Sequence, residues 1–76
     1  MDLEKFKTEL ERRYPLGVPR KRLTEITGGV LNHRTLANMD SLGTGIVGRF
    51  TVGREVVYPV DGIVNFIKQR MGGARD

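Results

Sequence analysis

The stretch Leu23-Thr24-Glu25-Ile26-Thr27-Gly28-Gly29-Val30-Leu31-Asn32-His33-Arg34-Thr35-Leu36-Ala37-Asn38 places two helical patterns on either side of a glycine pair. The first runs from Arg20 to Thr27, after Pro19 at its entry, with Leu23 and Ile26 turned inward. Gly28-Gly29 ends it, Val30-Leu31 forms a short apolar turn, and Asn32 suits the N-cap of a second helix. That helix is predicted from about His33 to Leu42, with Leu36, Met39 and Leu42 toward the core. Two short helices joined by a glycine turn are the signature of a helix-turn-helix.

Beyond the pair, Gly43-Thr44-Gly45 breaks the pattern, and from about Gly48 an alternation sets Phe50 and Val52 on one face and Arg49 and Thr51 on the other. Gly53-Arg54 is a two-residue turn of the kind that needs glycine first, and Glu55-Val56-Val57-Tyr58 returns as the second strand. A lone hairpin is unstable, so it must lean on helices and leave one face and its arginine-bearing tip in water. Pro59 opens a last helix whose Val60, Ile63, Val64, Phe66, Ile67 and Met71 predict deep burial, and Gly72-Gly73 should stop it. On the other side, Leu3, Phe6, Leu10 and Tyr14 mark an amphipathic first helix capped by Asp2 and stopped by Pro15 and Gly17. Its stripe serves packing or a dimer surface.

The expected fold is therefore mainly α with a small β-hairpin, a winged helix-turn-helix in the order α-α-α-β-β-α. Residues 1–19 form an N-terminal helix packed on or extending the core, 20–71 the binding domain, and 72–76 a frayed tail.

With 76 residues there is one domain and little room for a catalytic cleft, since folding buries only about 60% of the chain's surface at this size. There is no cysteine, and the start Met1-Asp2-Leu3-Glu4-Lys5 is charged with no apolar run behind it. These features predict a cytoplasmic protein without signal peptide or membrane span. The net charge of +4 is unevenly placed. Acids balance bases in both terminal segments, while Arg20, Lys21, Arg22, Arg34, Arg49 and Arg54 face only Glu25 and Asp40 in the middle. A basic centre between neutral ends predicts an anionic partner, and double-stranded DNA fits a helix-turn-helix.

The N-terminal part of the second helix in such a pair meets base edges. Arg34 can donate twice to guanine, Asn38 can pair with adenine, and Thr35 can meet a phosphate or a thymine methyl. His33 and Ser41 share that face. Arg20, Lys21 and Arg22 at a helix start, with Arg49, Thr51 and Arg54 on the hairpin, are the expected phosphate and wing contacts.

Other chemistries find no footing. His33 has no second histidine or cysteine with which to hold a transition metal, and no cofactor is expected. Gly43-Thr44-Gly45-Ile46-Val47-Gly48 has the glycine spacing of a dinucleotide loop but lacks the preceding strand and following helix, so it reads as a flexible connector into the hairpin. Asp40, Glu25, Asp61 and Glu55 stand singly, with no catalytic set to assign, and no enzyme is expected.

With these residues in view, the chain resembles the phage excisionase and AlpA-type regulators, small winged helix-turn-helix proteins related to the MerR DNA-binding domain. The resemblance spans about Leu23 to Arg70. It rests on Leu23-Thr24-Glu25-Ile26-Thr27-Gly28-Gly29, on Arg34-Thr35-Leu36-Ala37-Asn38 with Asp40-Ser41-Leu42-Gly43, and on Gly53-Arg54-Glu55-Val56-Val57-Tyr58-Pro59-Val60. It implies duplex DNA binding in transcription regulation or in directing phage recombination toward excision. The chain departs from the pattern in a longer turn at Gly28 to Leu31, in Ile46-Val47 where a proline is common, and in its first helix. A module this small also calls for self-association or a partner such as an integrase or polymerase. The alternative is a protein-protein interaction adaptor of the same fold.

Overall fold

The computed structural model describes the backbone of residues 2–74 and the side chains of residues 2–70. Among the described residues, four helices and a small antiparallel sheet follow in the order α1 (Leu3–Arg13), β1 (Val18–Pro19), α2 (Arg20–Ile26), α3 (His33–Leu42), β2 (Phe50–Val52), β3 (Glu55–Tyr58) and α4 (Val60–Ala74). Local chemistry explains the ends. Asp2 Oδ1 accepts from the Glu4 and Lys5 N–H groups at 3.1 and 3.3 Å, capping α1. After α2, the Gly29 N–H bonds back to the Thr24 carbonyl and the Gly28 N–H to Glu25, the paired closure that a left-handed residue permits. Gly28 supplies it with φ of 62°. Thr27 then locks the turn, donating to the Leu23 carbonyl at 2.8 Å and accepting from the Leu31 N–H at 3.0 Å.

The sheet has three strands, ordered β1-β3-β2, one more than the sequence pattern predicts. Val18 pairs with Tyr58 and Pro19 with Val57. A two-residue strand has no periodicity to read, and its proline is tolerated because β1 is an edge. In the hairpin, Val52 pairs with Glu55, so Gly53 and Arg54 alone make the turn. Among these, positive φ occurs only at Gly53, at 62°. That matches the glycine-first turn expected.

The core is centred on Leu10, Val18, Leu23, Leu36, Tyr58 and Ile63, with Ile46 also 1% exposed. Four expectations need correction. All of β2 is exposed, Phe50 and Val52 included, because the helices cover β3 and leave this edge projecting. Leu42 is 72% exposed at the end of α3, beyond the reach of neighbouring elements. The connector 43–48 is pinned, not flexible: Ile46 plugs the core, and Gly45 fits so closely on Asp40 that a Cβ would collide with its carboxylate. Finally, α4 continues through Gly72-Gly73 to Ala74, since glycine weakens a helix interior without forbidding it. Met71, expected in the core, lies outside the described side chains, as do residues 75–76 of the expected tail. Among the described residues no helix is long and apolar enough to cross a membrane.

Candidate nucleic-acid interface

The outer face of α3 is set by its N-cap, where Asn32 Oδ1 accepts from the Arg34 N–H at 2.8 Å and fixes the first turn. Leu36 turns inward and is 1% exposed. His33, Arg34, Thr35, Asn38 and Ser41 consequently all face solvent. Four of them, Arg34, Thr35, Asn38 and Ser41, line one shallow concavity with Ala37. A second, mainly polar concavity lies where α3 gives way to the hairpin and includes Gly43, Gly48, Arg49 and Thr51. The face is rich in donors and acceptors and nearly free of carboxylates, which is what groove edges and phosphates require.

The cations divide into three kinds. Arg34 and Arg54 are exposed and form no salt bridge among the described residues. Lys21 and Arg22 are also exposed, with loose surface partners in Glu55 at 3.9 Å and Glu25 at 3.1 Å. Such solvated pairs are weak and exchange readily for a phosphate.

Arg20, expected among the phosphate contacts, is instead turned inward. Its side chain is only 22% exposed. Nη2 donates to Asp40 Oδ2 at 2.6 Å and Nε donates to Tyr58 Oη at 2.9 Å. Tyr58 Oη in turn donates to the same Asp40 oxygen at 2.5 Å. Burial pulls the Arg20 pKa down, but its hydrogen bonds to Tyr58 and Asp40 outweigh this and hold it above the ordinary arginine value. Burial, and next the bond to Asp40, raise the Tyr58 hydroxyl above the usual phenol range. Arg49 stands between the two groups: its side chain is 48% exposed, with Nη1 at 3.9 Å from Asp40 Oδ1.

The sequence alone does not pair Asp40 and Tyr58 with Arg20. One signal was available for Asp40, which stands four residues after Leu36 and so on the buried face of α3, where a carboxylate needs a cation. Nothing local points to Tyr58, which meets Arg20 from 38 residues away.

Behind α3 a cleft of about 430 Å³ opens between the turn and α4, lined by Val30, Leu31, Met39, Phe66, Ile67 and Arg70 among others. Val30 is 80% exposed there, and the Arg70 guanidinium lies 4.8 Å from the Phe66 ring centroid. Comparison of the chain with protein-family models, with curated proteins and with solved structures yields no match in any of the three.

Proposed function

We propose that this protein is a cytoplasmic double-stranded DNA-binding module of the winged helix-turn-helix class. In this reading α3 lies in the major groove, with Arg34, Thr35 and Asn38 on base edges and His33 and Ser41 beside them. The hairpin β2-β3 is the wing. Arg49, Thr51 and Arg54 meet the backbone or the adjacent groove, and Lys21 and Arg22 hold phosphates at the start of α2. The carrying observation is the exposed polar face of α3, on which Arg34 forms no salt bridge, together with a hairpin tip cation, Arg54, that is also unpaired among the described residues. The resemblance to excisionase and AlpA-type regulators supports a role in transcription regulation or recombination directionality. One module of this type buries roughly 600–1,000 Å², so useful affinity calls for a second copy, an integrase or a polymerase.

Fluorescence titration with mixed duplex and with a duplex selected from a random pool tests the proposal. Asn38→Ala should cost about 1–3 kcal/mol on the selected duplex and little on the mixed one. Arg54→Ala should weaken both and reduce the salt slope by about 1. Equal losses on both duplexes from both variants would defeat the assignment.

The apolar cleft behind α3 favours a second reading, an adaptor that docks on another protein. An adaptor would bind mixed duplex weakly and without a salt slope.

A further inference from the structure

Asp40 is 6% exposed, a carboxylate buried within a small domain. Such a group is costly to bury, and an apolar replacement of a buried ion pair is often neutral or stabilising, so stability alone does not account for it. Its place in the fold does. The substantial backbone packing of α3 is against α2, not against the sheet. Side chains therefore carry the connection from α3 to the strands, and Asp40 is where they converge. Oδ2 accepts from Tyr58 at the end of β3 and from Arg20 at the start of α2, at 2.5 and 2.6 Å. Gly45 closes on the carboxylate from the connector side, leaving no room for any side chain. Oδ1 is buried without a hydrogen bond, and Arg49, the first cation of the hairpin region, stands 3.9 Å from it.

We infer that Asp40 is a positioning residue that fixes the angle between α3 and the hairpin and aims Arg49, so that it governs sequence selectivity without touching DNA. The inference rests on the DNA-binding reading above. Base readout by α3 and backbone contact by the hairpin reinforce each other only when both elements meet one duplex in one register. A loosened joint keeps every cation available for phosphates and loses the alignment that tells one sequence from another.

Two variants test this. Asp40→Asn keeps the shape and removes the charge. Tyr58→Phe removes one hydroxyl and is the milder change, for use if the first folds poorly. The affinity ratio between the selected duplex and mixed duplex is expected to fall about tenfold, with mixed-duplex affinity and salt slope within about twofold of the parent. Partial unfolding cannot mimic that result, because it lowers both affinities by one factor and leaves their ratio unmoved.

A readout independent of DNA uses the absence of cysteine. Spin labels at Asn38→Cys and Thr51→Cys should give one narrow distance distribution, broadened by Asp40→Asn and by Tyr58→Phe. An unchanged affinity ratio together with an unchanged distribution would overturn the positioning role. Parent protein that binds neither duplex would instead overturn the DNA reading, and the selectivity role with it, whatever the labels report.

Discussion

Truncating Asp40 to alanine removes the acceptor shared by Arg20 and Tyr58 and leaves a mostly buried guanidinium without its counter-charge. Breaking a buried pair from one side costs about 3–5 kcal/mol, a large part of the stability of a domain this size. Urea melts of Asp40→Ala should show a midpoint shifted by that amount, and a loss under 1 kcal/mol would mean the cluster is idle. Tyr58 makes the same cluster sensitive to alkali. Its hydroxyl is held above the usual phenol range, first by burial and then by Asp40. A group whose folded pKa is raised contributes fully below its unfolded value, near 10, and loses that contribution as pH climbs through the folded value. Stability should therefore decline from about pH 10 upward, and Tyr58→Phe should flatten the decline. Parallel alkaline limbs for the two proteins would contradict the cause given.

At the scale of elements, the turn between α2 and α3 depends on a left-handed residue. A Cβ at Gly28 would meet nothing within 4 Å, so Gly28→Ala suffers only the conformational penalty, about 1–2 kcal/mol. Thermal melts should register it as a drop of about 4–8 °C per kcal/mol, and an unchanged Tm would mean that the turn is not held in this form. The glycine pair, the Asn32 cap and the Gly53 turn are also what made α2, α3 and the hairpin legible, because each follows from chemistry within a few residues. What stayed hidden depends on distant partners. Val18–Pro19 becomes a strand only because Tyr58 and Val57 arrive beside it. Ile46 reads in the sequence as part of a flexible connector, and its burial depends on the core that closes over it. The alternation in Phe50–Val52 marks a strand but not an exposed one, since periodicity says nothing of which strand the helices cover. For the candidate interface, the outward face of α3 was readable from its spacing. The inward turn of Arg20 was not, because it needs a carboxylate 20 residues away.

Over the whole molecule, the pairing of Arg20 with Asp40 withdraws one charge of each sign, so the net charge of +4 stays with the remaining residues. With Arg20 turned inward, the proposed reading assigns Lys21, Arg22, Arg49 and Arg54 to phosphates and Arg34 to bases. Four phosphate contacts correspond to a slope of about −3 to −4 in log affinity against log salt. A slope near zero would exclude the duplex-binding reading. One much steeper would mean that several copies load together.

The two rims of the sheet are not equivalent. One is two residues long and carries Pro19, which offers no amide proton, so another chain gains little by adding there. The other, Phe50–Val52, is bare, apolar at alternate positions and bordered by Arg49 and Arg54. Mutual repulsion between these arginines guards an otherwise sticky margin. Concentrated protein should then scatter more light as sodium chloride screens that repulsion, and Val52→Lys should keep the solution clear.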